Sequence, residues 1–108
     1  MKHKDISLDS LLKDVAACIV QGIFSRAVIY SRSKIEIYYQ YVDLLEKSKV
    51  VEELTDQENA SIFRRAGIIY SGILSSEGTR SADPETNLAG LLNYYRTLRD
   101  AERLRRLD

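Results

Sequence analysis

One histidine, His3, and one cysteine, Cys18, are all the imidazole and thiol chemistry this 108-residue chain carries. His3 falls in a stretch, residues 1–6, that reads as a mobile tail. A serine–histidine–aspartate relay therefore has no fixed imidazole at its centre. Helical proteins can hold paired metal ions on Glu-x-x-His repeats, and no such repeat occurs here. Glu36, Glu46, Glu58 and Glu102 sit at polar flanks, which leaves no carboxylate set to replace one. "SSEGTR", residues 75–80, has a single glycine and lacks the lysine of a phosphate-cradling loop. These absences predict a chain that is not an enzyme, with no cofactor and no bound metal. Cys18 lies within "AACIV", where a thiol is expected to behave as a small hydrophobe rather than a nucleophile. It also rules out a disulfide within the chain, as a reducing, cytoplasmic setting would favour.

The densest charge pattern is "RTLRDAERLRR", residues 96–106. Arg96, Arg99, Arg103, Arg105 and Arg106 outnumber Asp100 and Glu102 in that run. One reading is phosphate contact with nucleic acid, helped by Tyr94 and Tyr95. The other is a solvated helix end, whose cations complement the helix dipole and where Glu102 and Arg106 form an i,i+4 pair. A balancing acidic stretch, Asp43, Glu46, Glu52, Glu53, Asp56 and Glu58, suits docking within or between chains at least as well as nucleic-acid binding. Arg96 and Arg99 also flank an apolar stripe as coiled-coil edge positions do. The whole chain balances 16 basic against 16 acidic residues, so no overall field draws it to nucleic acid or an anionic membrane. The helix-end reading is the stronger.

The elements that would position these groups are helical. Ser7 can cap a helix that begins near residue 8. "TDQE", Thr55 to Glu58, matches a capping box. "SADPE" sets Asp83 at a cap and Pro84 at the first helical position. Between the last two, residues 75–83 form a loop with Gly78 as its turn residue. The spacing then predicts a first helical segment over residues 8–48, one rod or two helices broken near residues 30–34. A second helix covers residues 56–75, with Ile62, Phe63, Ala66, Ile69, Tyr70 and Ile73 on one stripe. A third covers residues 84–107, with Leu88, Leu91, Leu92, Tyr95, Leu98 and Ala101.

Residues 35–41 are ambiguous. Ile35, Ile37, Tyr39 and Tyr41 alternate as in a strand, but no second alternating run exists to pair with them. At helical spacing, Ile35, Tyr38, Tyr41, Val42 and Leu45 form a stripe, with Tyr39 outside it. That reading uses more of the residues. The predicted fold is all-α: a single domain, residues 1–108, built as an antiparallel three- or four-helix bundle with a long N-terminal helical segment.

The first segment carries the clearest functional signal. Over residues 14–32, Asp14, Cys18, Gln21, Ser25 and Arg32 share a narrow polar line, and nearly everything else is apolar. A helix so apolar needs cover on most sides. Its longest apolar run, residues 15–30, contains Gln21 and Arg26 and is too short for a membrane span. Self-association is therefore expected, as a small homo-oligomer and a dimer first, through Val20, Ile23, Phe24, Ala27 and Tyr38. The predicted function is a non-enzymatic interaction or assembly protein. The alternatives are a nucleic-acid binder using the five arginines and an apolar-ligand binder in the bundle core.

Overall fold

Residues 35–41 are helical in the computed structural model, which describes residues 2–24, 31–77 and 83–107. Four long helices and one single-turn helix account for nearly all of these. They are α1 Lys2–Ile23, α2 Ser31–Lys47, α3 Val50–Glu53, α4 Gln57–Glu77 and α5 Pro84–Leu107. No strand occurs among the described residues. The predicted first segment is two helices, α1 and α2, but residues 31–34, where the break is expected, already form the first turn of α2. α1 begins at Lys2, six residues before the expected start, so Ser7 is an interior residue of α1 and not its cap. Gly78 also lies outside the described residues.

Two caps show how local chemistry sets the helix starts. Asp83 Oδ1 accepts the Thr86 amide at 2.7 Å, with Pro84 at the first helical position, as the sequence predicts. That bond holds the Asp83 carboxyl below its usual range. At the start of α4 the capping residue is Asp56 rather than Thr55. Asp56 Oδ1 accepts the amides of Glu58 at 2.8 Å and Asn59 at 3.1 Å. Thr55 instead donates its hydroxyl to the Glu52 carbonyl at 3.0 Å, closing off α3. The one-turn α3 takes up the residues immediately before that cap, so the cap shifts one residue along.

The long helices form a ring in the order α1, α2, α5, α4, with neighbours in contact around it. The residues between α1 and α2 are too few to span the length of α1, about 33 Å at 1.5 Å per residue, so α2 runs back along it. α4 and α5 are antiparallel: Glu58 meets Arg106, Asn59 meets Arg103, and Tyr70 meets Tyr94. α1 and α4, by contrast, run parallel. Asp14 pairs with Arg64, Val15 packs on Gly67, and Gly22 packs on Ser71. The expected all-antiparallel bundle is corrected on this point. α3 carries the chain across the ring, so the next long helix returns beside α1 instead of α2.

The core is continuous through all five helices. Leu11, Leu12, Val15, Ala16, Ile19, Val20 and Ile23 of α1 meet Tyr41, Val42 and Leu45 of α2. Val50 and Leu54 come from the crossing segment, Ile62, Phe63, Ala66 and Leu74 from α4, and Leu88, Leu91 and Tyr95 from α5. α1 and α4 approach most closely because Gly22 and Gly67 have no side chain at the contact. A methyl on Gly22 would overlap the Ser71 carbonyl oxygen and lie 2.8 Å from Ser71 Oγ. The predicted stripes fail at three positions: Ile35, Ile69 and Ala101 are exposed, not core. α4 is turned so that Gly67 and Ser71 face α1, which rotates Ile69 out of the core.

Candidate interaction surface

The C-terminal arginines are held by the chain's own acids and amides. Glu53, at the end of α3, is the hub. Its Oε1 accepts Arg99 Nη1 at 2.6 Å and the Tyr95 hydroxyl at 3.2 Å, and Arg96 Nη2 lies 3.8 Å from Oε2. The Arg99 guanidinium also sits 5.6 Å from the centre of the Tyr95 ring, and that ring meets Phe63 edge-on at 5.3 Å. Burial, with the Glu53 charge adding to it, pushes the Tyr95 phenol up. Below this hub Arg103 donates to Asn59 Oδ1 at 3.5 Å, and Arg106 pairs with Glu58 rather than with Glu102, which meets Arg65 of α4 at 3.4 Å. Asn59 in turn donates to the Glu53 carbonyl at 3.1 Å.

Of the five arginines, Arg96, Arg99, Arg103 and Arg106 thus face partners on α3 or the first turn of α4. Arg105 is exposed. The arrangement ties the crossing segment α3 to α4 and α5. Most of these pairs are well exposed, and each such pair contributes about 0–1 kcal/mol. The Glu53–Arg99 pair is more enclosed, with its side chains 31% and 20% exposed.

The expected α1 interface is placed differently. Val20 and Ile23 are buried in the chain's own core. Phe24 and Tyr38 are half-buried against that core, and Ala27 lies outside the described residues. The apolar side of α1 is thus covered by α2 and α4, so Val20 and Ile23 offer no outer surface. Cys18 is half-exposed at the α1–α4 boundary. Burial first, and Asp14 second, push its thiol up against the opposing effect of Arg64. The thiolate is therefore scarce near neutral pH.

Among the described residues, the large apolar side chains that remain outside are Ile35 and Tyr39 on α2, Ile68 and Ile69 on α4, and Leu104 on α5, each between 44% and 65% exposed. Tyr39 touches Tyr38 edge-on at 4.9 Å. Lys13 of α1 interacts electrostatically with both phenols. Tyr39 was legible as an off-stripe residue. Ile68 was not, since it lies in an apolar run, residues 66–70, where period alone cannot separate inside from outside.

The bundle centre is occupied by Tyr41, Phe63, Leu91 and Tyr95. The buried Asn87 amide donates to the Tyr41 hydroxyl at 2.9 Å. Among the described residues, no three His, Cys, Asp or Glu side chains gather as a metal site, and no helix is long and apolar enough to cross a membrane. The chain matches no family model, no curated protein and no solved structure.

Proposed function

We propose that the chain is a non-enzymatic interaction protein that acts as a small homo-oligomer, a dimer first, and presents its outer helical surface to an assembly. One observation carries this reading. Large apolar side chains remain on the outside while most of the C-terminal arginines are consumed by contacts within the chain. Contiguous exposed apolar area on a folded domain marks contact with another macromolecule. Tyrosine and isoleucine supply such contacts with well-defined rotamers and large area.

The test is mass in solution. Sedimentation equilibrium from low to high micromolar protein should show a species of twice 12.3 kDa. A monomer throughout that range overturns the reading. Nucleic acid should bind negligibly at about 0.15 M salt, where unpaired cationic patches still attract phosphates measurably.

A further inference from the structure

α5 changes character after Leu98. Up to that point apolar burial anchors it: Leu88, Leu91 and Tyr95 lie in the core, and Leu92, Tyr94 and Leu98 pack against it. Over residues 99–106 no side chain is buried, and the two apolar ones, Ala101 and Leu104, are exposed. Polar contacts hold these two turns instead. Arg99 Nη1 donates to Glu53 Oε1 at 2.6 Å, and Arg65 Nη1 donates to Glu102 Oε2 at 3.4 Å. Arg103 Nη2 donates to Asn59 Oδ1 at 3.5 Å, and Arg106 pairs with Glu58. The charge of the two stretches is complementary. Residues 99–106 carry four arginines against Asp100 and Glu102, while residues 52–58 carry four carboxylates and no cation.

The surface that receives these turns is built without them. Val50 and Leu54 are buried and fix α3 in place. Asn59 donates to the Glu53 carbonyl at 3.1 Å, and Asp56 caps α4 on the Glu58 and Asn59 amides. We propose that residues 99–106 form an electrostatic latch: the end of α5 docks on the α3–α4 corner through charge, and rising ionic strength releases it while the rest of the bundle stays folded. The release takes place within one copy of the chain, so it does not depend on the oligomeric state.

Screening acts on this segment more than on its neighbours. The Debye length shrinks from about 10 Å at 0.1 M salt to about 3 Å at 1 M, and exposed ion pairs weaken with it. The apolar burial that holds the first half of α5 is not screened. Glu53 is the centre of the latch, since its carboxylate faces both Arg99 and Arg96. The helix ends add to the attraction: α4 and α5 are antiparallel, so the positive start of one dipole lies beside the negative end of the other. Length makes the release local. A segment this short gains too few backbone bonds to stay helical on propensity alone, so an undocked end frays and its amides meet water.

Amide hydrogen exchange on the full chain, followed by NMR, reads the latch residue by residue. Between about 0.02 M and about 1 M sodium chloride, protection of amides 100–106 should fall about tenfold relative to the core amides of Val15, Ile19, Phe63 and Ala66. Glu53→Gln keeps the shape of the side chain and removes its charge. It should lower protection of the same amides about threefold at low salt and flatten their response to salt. Amides 100–106 protected as strongly as the core at every salt concentration would overturn the latch, because α5 would then open only with the whole domain. Weak protection that salt does not change would overturn it too, because the charges would then hold nothing. Both of these results come from the wild-type chain and need no variant. A folded Glu53→Gln chain that keeps the full wild-type salt response would remove Glu53 from the device and overturn the latch at its centre.

Discussion

The same mutation at three helical glycines should give three different outcomes. Gly72 and Gly90 lie inside helices, where replacement by alanine gains about 1 kcal/mol of propensity, and Gly22 lies in the last turn of α1, where the gain is smaller. What differs most is the space for the new methyl group. Around Gly72 nothing lies within 4 Å, so Gly72→Ala should keep the whole gain. For a chain of this size that raises Tm by about 4 °C.

At Gly22 the methyl would overlap the Ser71 carbonyl oxygen and sit 2.9 Å from its carbonyl carbon. A backbone carbonyl cannot rotate aside, so α1 and α4 must separate where they pack most tightly. That also loosens Val15 and Ile19 in the core. Overpacking of this kind costs about 1–3 kcal/mol. The rigid obstacle places Gly22→Ala at the upper end, a net loss of about 2 kcal/mol once propensity is credited. At Gly90 the obstacle is the hydroxyl end of the Tyr70 ring, with Cζ at 2.9 Å. A side chain can swing, so Gly90→Ala should fall between the other two.

Urea denaturation followed by circular dichroism reads all three, at one protein concentration at which the variants share the wild-type mass. The expected order of stability is Gly72→Ala, Gly90→Ala, Gly22→Ala, with about 3 kcal/mol between the extremes. Equal stability of the Gly22 and Gly72 variants would refute the close α1–α4 approach, and with it the parallel pairing of those helices.

Asp56→Ala should cost about 1 kcal/mol by removing the acceptor for two α4 amides, and Thr55→Ala much less, since Thr55 only closes α3. Equal losses in thermal melts would restore Thr55 as the cap. Tyr41→Phe should cost about 1 kcal/mol, because the buried Asn87 amide loses its bond to the Tyr41 hydroxyl, whereas Tyr39→Phe should be close to neutral on the surface. A neutral Tyr41→Phe in urea would sink the account of that hydrogen bond. Stability should also fall in alkali. The Tyr41 and Tyr95 phenols are raised above the ordinary value of 10.0 by burial, so the native state holds their protons more tightly than the unfolded chain. Their contribution is complete below about pH 10 and drains as pH climbs through the folded-state values. A urea midpoint constant from pH 9 to about 11 would contradict this.

Much of the fold was readable in the chain because helices announce their ends locally. Asp83 and Pro84 mark the start of α5 by their own chemistry, and no distant contact is needed to interpret them. The Ile35–Tyr41 run was readable for a different reason. A strand requires a pairing partner, and its absence left the helix as the only way to satisfy those backbone groups. What stayed hidden depends on residues far apart. The parallel α1–α4 pair is made by Gly22, Gly67 and Ser71, small residues whose meaning appears only when the two helices are side by side. α3 is a single turn, too short to show a period.

The surface was harder to read than the core for a reason of degrees. A hydrophobic stripe about 100° wide specifies the centre of the buried face and leaves its edges open. Ile35, Ile69 and Val20 are all edge residues. Which edge is covered depends on how far each helix is rolled, and the neighbour decides that. α1 is rolled so that Val20 faces inward and Ala17 faces out. That single rotation moves the available contact surface from the apolar side of α1 to the boundary of its polar line. The arginines follow the opposite logic. Charges reach several ångströms on flexible stems, so a helix rolled a few degrees either way still lets Arg99 find Glu53. Opposite charges in separate stretches anticipated docking in general, whereas the choice of Glu53 and the position of Ile68 required the packed structure.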